Sequence, residues 1–186
     1  MLVPDQVFQA ITRVASVLTG AGHTRAMRLV MAGSMASIVG GDLPADRATS
    51  DVDVIWLGDP DDWALLEQCA RQVEVEIGLP SRWLNRDCTV FSSNLPTGWR
   101  ERCVDVMTVS PLTLARISRF DLIGMKLIAG PRRERDRSDL RHLAPTRAEL
   151  ERLAEHLDRV DAEDLRGRDF SAQKKLLREL LQGGPR

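Results

Sequence analysis

The sequence predicts an α+β protein in which a small mixed β-sheet with flanking helices is followed by a helical C-terminal part. Short, mainly apolar segments lie at 29–32, 51–57 and 103–107, and the second is rich in β-branched residues, a composition typical of buried strands. After Pro111 the apolar residues recur at helical spacing. Since 186 residues suffice for a single core, we expect regions 1–110 and 111–186 to pack as one compact unit.

The first region begins with a helix and a strand. Apolar residues between 5 and 18 recur every three or four positions, and Asp5 is suited to the N-cap of that helix. Gly20 ends it. The apolar run 29–32 predicts a short buried strand, followed after a Gly-Ser pair by a helical stretch to residue 39.

The remaining elements follow the same reasoning. Residues 51–57 and 103–107 predict strands, 61–75 a helix and 89–91 a short strand. The C-terminal region is predicted to be helical throughout, over residues 111–118, 120–129, 134–143, 147–157 and 171–182.

Composition excludes several classes of protein. Hydrophobic residues make up 43% of the chain and charged residues 28%, which excludes a disordered protein. Only 4% are aromatic and none is Tyr, so a stacking platform for single-stranded nucleic acid is not expected. The 26 basic and 27 acidic residues give a net charge of -1, which excludes a uniformly basic protein covered in phosphate.

The cysteines and the apolar runs indicate a cytoplasmic location. Cys69, Cys88 and Cys103 form an odd set without a close pair, so neither a disulfide framework nor a zinc site is expected. No apolar run reaches the length of a membrane span, and the N-terminus lacks the pattern of a secretory signal. We expect buried thiols and no membrane partner.

Charge is distributed unevenly between the two regions. Residues 111–186 hold 17 basic and 13 acidic residues, a net charge of +4, whereas residues 1–110 carry a net charge of -5. An acidic α/β region beside a basic helical region suits an enzyme that binds cations in one part and phosphates in the other.

Asp51 and Asp53 are the first candidate site residues. At positions i and i+2 of a strand their side chains share one face. Two carboxylates so close repel each other unless a cation lies between them, and Mg²⁺ or Mn²⁺ is the natural partner of such oxygen ligands. The alternative is an exposed strand face with two solvated aspartates, the more frequent meaning of an isolated Asp-Val-Asp.

Asp105 and a Gly-Ser pair strengthen the metal interpretation. Asp105 alternates with Val104 and Val106 as Asp53 does with its neighbours. If the two strands are adjacent, three carboxylates converge at one end of the sheet, as in a two-metal site. Gly33 and Ser34 lie at a strand-to-helix junction, where backbone N–H groups and a hydroxyl can bind phosphate.

These motifs resemble the nucleotidyltransferase signature of the DNA polymerase β-like superfamily. The resemblance rests on Met-Ala-Gly-Ser at 31–34, Asp-Val-Asp-Val at 51–54, preceded by Arg-Ala-Thr-Ser at 47–50, and Val-Asp-Val at 104–106. The sequence Gly-Met-Lys-Leu-Ile-Ala at 124–129, followed by Arg-Asp-Arg-Ser-Asp-Leu at 135–140, is similar to the AbiEii-like toxins of type IV toxin–antitoxin systems. The fold implied is the minimal nucleotidyltransferase fold.

The resemblance implies a site and a reaction. Asp51, Asp53 and Asp105 would hold two Mg²⁺ or Mn²⁺ ions, and the Gly-Ser pair would bind the triphosphate of an NTP. Lys126, helped by Arg47, would balance the charge of the leaving pyrophosphate. An acceptor oxygen would attack the α-phosphorus in line.

The lysine and the acids of the second motif have alternative interpretations. Lys126 lies in an otherwise apolar helix, where it either contacts the phosphates or extends to the helix edge. Asp136 and Asp139 share one helix face at i and i+3. We expect Asp139 to act in the chemistry, as a base or an orienting residue, and Asp136 to be structural.

An arginine cluster at the start of the same helix also has two interpretations. Five arginines with three acids among them carry a net charge of +2, at positions 132, 133, 135, 137 and 141. They either bind the phosphates of a nucleotide or RNA, or form a helix face crossed by salt bridges, and we favour the salt bridges.

Three functions stay open on the sequence alone. The first is an AbiEii-like toxin that transfers NMP to tRNA or another RNA and has a cognate antitoxin. The second is a nucleotidyltransferase for a small molecule, such as an antibiotic hydroxyl. The third is a non-catalytic nucleotide-binding module, against which the intact set of acids argues.

Overall fold

The structure, a computed structural model, describes residues 1–44, 49–164 and 167–183. The described helices are α1 Pro4–Gly20, α2 Gly33–Val39, α3 Pro60–Ile77, α4 Arg119–Ala129, α5 Glu134–Leu143, α6 Arg147–Glu163 and α7 Ser171–Gly183. The described strands are β1 Met27–Met31, β2 Val52–Ile55, β3 Leu84–Asn85, β4 Val104–Val109 and β5 Leu112–Arg116. Two 3₁₀ segments, Asp87–Asn94 and Gly130–Arg132, complete the described elements.

The five strands form one mixed sheet in the order β3-β2-β1-β5-β4. β1 runs antiparallel to β2 and parallel to β5, while β3 pairs in parallel with β2. Met31 lies opposite Val54, so the carboxyl end of β1 meets the amino end of β2. This register brings the Gly-Ser pair after β1 to the Asp-Val-Asp motif.

Helices cover both faces of the sheet. On one face α1 and α3 pack against Leu29 and Met31, and on the other α4, α6 and α7 pack around Val30. β1 alternates between the two clusters because successive side chains point to opposite faces. The predicted α+β class, with a small mixed sheet, flanking helices and a helical C-terminal part, is confirmed.

Two predicted elements are wrong. Residues 112–116, expected to be helical, form β5, in which Leu112 and Leu114 are buried on one side with Thr113 between them. This is a period of two, which requires a strand. Residues 89–91, expected to be a strand, belong to the 3₁₀ helix Asp87–Asn94.

None of the helices in the described part of the chain combines the length and apolarity that a membrane crossing requires.

Candidate active site

The turn between β1 and α2 is shaped to receive the Asp53 carboxylate. Ala32 donates its backbone N–H to the Asp53 carbonyl at 2.8 Å, and Gly33 follows with φ +65°. A Cβ atom at Gly33 would lie 2.7 Å from Asp53 Oδ2. Glycine is therefore required here by its backbone conformation and by the close approach of a carboxylate.

Asp51 and Asp53 lie together at the start of β2, both half-buried. Asp51 Oδ1 accepts hydrogen bonds from the hydroxyls of Thr49 at 3.1 Å and Ser50 at 3.4 Å. Burial raises the pKa of Asp53, and the negative charge of Asp51 raises it further. The repulsion expected from the sequence is therefore present in the fold.

Asn85, which the sequence analysis did not select, supports this pair. It lies opposite Asp53 in the β2–β3 register and is 7% exposed. Its side chain hydrogen-bonds to the Asp53 carboxylate, which lowers the pKa of Asp53, and its Oδ1 accepts the backbone N–H of Asp87 at 3.0 Å. A buried asparagine directly after Trp83 and Leu84 was the available signal, but a two-residue strand is too short to predict.

A second polar cluster lies behind the turn and is buried. Lys126 Nζ is 2.6 Å from Asp136 Oδ1 and 2.8 Å from Asp139 Oδ2. Ser34 Oγ donates to Asp139 Oδ2 at 3.4 Å. All four side chains are at most 9% exposed. We call Ser34, Lys126, Asp136 and Asp139 the lysine cluster; it joins α2, α4 and α5.

The carboxylate pair and the lysine cluster are coupled electrostatically, because charges in both affect the same pKa values. The charge of Lys126 lowers the pKa of Asp53, against the effects of burial and Asp51. Burial raises the pKa of the Cys88 thiol to about 12, with Asp53 raising it and Lys126 and Arg133 lowering it. The two clusters therefore form one site, with Cys88 beside it.

The expected position of Asp105 is wrong. Asp105 lies on β4 at the edge of the sheet, and β1 and β5 separate that strand from β2. Its side chain is 56% exposed and accepts hydrogen bonds from Arg28 Nε and Nη2 at 3.1 and 2.7 Å. The reason is β5, a segment whose sequence pattern predicts a helix but which forms a strand between β1 and β4. The structure does not bring Asp105 to Asp51 and Asp53.

The remaining predicted site residues have the following places. Gly33 and Ser34 lie at the turn as expected, and Lys126 and Asp139 meet in the lysine cluster. Arg47 lies outside the described residues. Asp136, expected to be structural, shares Lys126 with Asp139.

The carboxylate pair fits a single hard divalent cation. Within the described residues no group of three or more His, Cys, Asp or Glu side chains could hold a metal ion. Mg²⁺ is commonly held by one or two carboxylates together with substrate phosphates, and Asp51 and Asp53 offer such a pair, whose repulsion Asn85 and Lys126 offset only in part. The three-carboxylate, two-metal arrangement does not fit the described residues.

Residues 6–174 match the family described as nucleotidyltransferase of unknown function (DUF6036). The chain belongs to this family. The matched range includes the whole sheet, the carboxylate pair and the lysine cluster. No curated protein matches the chain. Membership of this family supports the transferase class and an NTP as substrate, and it leaves the acceptor open.

Proposed function

We propose that this DUF6036 protein transfers an NMP group from an NTP to an acceptor in a metal-dependent reaction centred on Asp51 and Asp53. The observation that carries the proposal is the pair itself. Asp51 and Asp53 are two half-buried carboxylates, Asp53 lies against the Gly33 turn, and the pKa of Asp53 is raised by its burial and by the charge of Asp51. A cation bound there would relieve this repulsion.

The carboxylate pair is the proposed ligand of Mg²⁺ or Mn²⁺, and Asn85 orients Asp53. A bound divalent ion supplies charge stabilisation at the α-phosphate and the leaving pyrophosphate. The acceptor hydroxyl oxygen would bond to the α-phosphorus while the bond to pyrophosphate breaks, and the hydroxyl proton would pass to solvent water. Gly33 leaves the space in which the Asp53 carboxylate approaches the turn.

The lysine cluster has a positioning role in this proposal. Ser34 and Lys126 were predicted to contact phosphates, yet both are bonded to Asp139 in the interior. Asp139, the predicted base or orienting residue, is fully buried. The geometry therefore favours a cluster that fixes the turn and places the positive charge of Lys126 where it lowers the pKa of Asp53. Direct contact with a phosphate would require Ser34 or Lys126 to break its contact with Asp139.

A finer version of the proposal names the acceptor. The motif order at 124–140, similar to the AbiEii-like toxins, and the basic C-terminal region favour tRNA or another RNA, with a cognate antitoxin as a further partner. A small-molecule acceptor is the alternative outcome of the test below.

The test is incubation of the protein with each α-³²P-labelled NTP, Mg²⁺ and total cell RNA. Wild-type protein is expected to label an RNA band, and Asp51→Asn/Asp53→Asn to label none, because the cation ligands are lost. Asp105→Asn is the matched control and is expected to retain transfer, since Asp105 lies at the opposite edge of the sheet.

Each result has a distinct meaning. Label in RNA that depends on Asp51 and Asp53 supports both reaction and acceptor. Mg²⁺-dependent NTP binding without RNA labelling would move the acceptor to small molecules or proteins. Full activity of Asp51→Asn/Asp53→Asn, or its loss in Asp105→Asn with the fold intact, would contradict the assigned site.

A further inference from the structure

Three arginines around the start of α5 have side chains that pair with no other residue in the described part of the chain. Arg132, Arg133 and Arg135 are all exposed, and none has a side-chain hydrogen bond or ion pair to another residue of the described chain. We call these three residues the arginine rim. This differs from the salt-bridged helix face that the sequence analysis favoured.

The acids close to the rim in sequence form ion pairs with basic residues outside the rim. Glu134 pairs with Arg141 at 3.4 Å, while Asp136 and Asp139 face Lys126 in the buried cluster. Residues 126–141 hold six basic and three acidic residues, a net charge of +3. The Glu134–Arg141 pair is neutral, and the net charge of -1 on the lysine cluster is balanced by Arg137. The three exposed rim arginines therefore account for the excess.

The rim adjoins the lysine cluster in the chain, since Arg135 directly precedes Asp136, and its backbone is held by packing. Arg133 is the N-cap residue of α5, three positions before Asp136, and its charge acts on Cys88, which also responds to Asp53. The 3₁₀ turn that precedes it is packed tightly, since a Cβ atom at Gly130 would lie 2.9 Å from Leu176 Cδ2 of α7. The backbone that presents the guanidinium groups is therefore held by the helical core.

We infer that the arginine rim binds the phosphodiester backbone of an RNA acceptor and presents it to the carboxylate pair. Guanidinium groups bind phosphate through paired N–H donors and stay charged. Contacts of this kind fix the position of a nucleic acid without reading its sequence. The inference rests on the proposed function, and it names the contact surface for the acceptor of the same site.

The test compares two triple variants of equal charge. Arg132→Gln/Arg133→Gln/Arg135→Gln removes the rim. Arg71→Gln/Arg147→Gln/Arg178→Gln removes three exposed arginines from α3, α6 and α7. The probe is a fluorescein-labelled single-stranded RNA, whose dissociation constant is measured by anisotropy over a series of NaCl concentrations.

The rim variant is expected to bind the RNA about tenfold or more weakly at low salt. Its plot of log affinity against log salt should be shallower by about 2, because three phosphate contacts each contribute about 0.7 for single strands. The control triple variant should keep a slope close to that of the wild type. Mg²⁺–ATP binding, measured in parallel, should change less than about twofold in the rim variant.

Several results would overturn the inference. They are no RNA binding by the wild type, an unchanged slope in the rim variant, an equal loss in both triple variants, or a loss of ATP binding that matches the loss of RNA binding. The last would assign the rim to the triphosphate. RNA binding by Asp51→Asn/Asp53→Asn separates the rim proposal from the proposed transfer reaction. This variant should still bind RNA through the rim even if no NMP transfer is observed with the wild type.

Discussion

Asp53 is a carboxylate whose charged form the folded protein disfavours. Burial raises its pKa above 3.8, the charge of Asp51 raises it further, and Asn85 and Lys126 only partly offset these effects. The folded state therefore holds a proton on Asp53 more tightly than the unfolded state does. Stability from this group is present at low pH and is lost as pH rises from about 3.8 through the raised folded value.

The first prediction follows from that sign. In the absence of divalent metal, Asp53→Asn is expected to raise the free energy of unfolding at about pH 7, because it removes a destabilising charge. The gain should shrink as pH falls through the raised folded pKa toward about 3.8, because the wild-type carboxyl then takes up a proton in the folded state. The free energies of unfolding of the wild type and of Asp53→Asn are measured at each pH by urea titration in EDTA, with tryptophan fluorescence as the signal.

Mg²⁺ provides the complementary measurement. It should stabilise the wild type by binding the folded state alone, and it should not stabilise Asp53→Asn. A variant that is less stable than the wild type at about pH 7 would contradict the prediction, since the contacts of Asn85 and Lys126 with the carboxylate would then outweigh its burial.

The residues of the site were predictable to different degrees. Asp51 and Asp53 were predicted because strand alternation alone puts two such carboxylates on one face. Asn85 was missed because its role depends on which strand pairs with β2, a contact formed with residues about 30 positions away. Local pattern carries no information on that pairing.

At the scale of elements, the strand β5 decides where Asp105 lies. It pairs with β1 on one side and β4 on the other, so the third acid moves to the sheet edge. The sequence could have indicated this strand, because Leu112 and Leu114 alternate with Thr113. The helical pattern of everything that follows outweighed a five-residue alternation. By contrast, α4 and α5 were predicted to within a residue. α4 has a Ser118 N-cap and a long apolar run, and α5 has Leu140 and Leu143 at helical spacing.

Helices α4 and α5 are joined by the lysine cluster, and this gives the second prediction. Lys126→Met removes the buried ion pairs that Lys126 makes with Asp136 and Asp139, which is expected to lower the free energy of unfolding by about 3 to 5 kcal/mol. Arg147→Met, which breaks an exposed ion pair with Glu151, should change it by less than about 1 kcal/mol. Urea unfolding compares the two.

A rescue variant separates charge from packing. Lys126→Met/Asp136→Asn/Asp139→Asn also removes the two carboxylate charges that face Lys126 in the wild type, while keeping similar shapes, and it should recover most of the lost stability. If Lys126→Met has the same free energy of unfolding as the wild type, Lys126 is not needed to hold the cluster. It would then be available to contact a phosphate directly, and the positioning role would be wrong.

At the scale of the whole molecule, one sheet serves two hydrophobic clusters. The first cluster includes α1, α3, Leu112 and Leu114, and the second includes α4, α6, α7 and Ala115. β5 follows the boundary predicted after residue 110 and yet lies between β1 and β4. Neither region keeps a complete sheet without the other, so we propose that residues 1–110 and 111–186 unfold as one cooperative unit.

The tryptophans make this proposal measurable. Trp56, Trp63 and Trp83 lie in the first cluster, and all four tryptophans precede residue 110. Leu153 lies in α6 within the second cluster and is 1% exposed, 3.1 Å from the position of a Cβ atom on Gly124. Leu153→Ala is expected to cost about 2 to 5 kcal/mol, as large-to-small changes in a core do.

In a cooperative molecule that cost appears in both regions. The urea midpoint from tryptophan fluorescence should fall together with the midpoint from far-ultraviolet circular dichroism, although the substitution is remote from most of the tryptophans. Val75→Ala, at a position 84% exposed, is the control and should shift neither midpoint appreciably. If Leu153→Ala shifts the dichroism transition and leaves the fluorescence transition in place, the two regions unfold separately. Asp51 and Asp53, at the start of β2, would then keep their positions. The lysine cluster and the arginine rim would be lost, because both depend on α4 and α5.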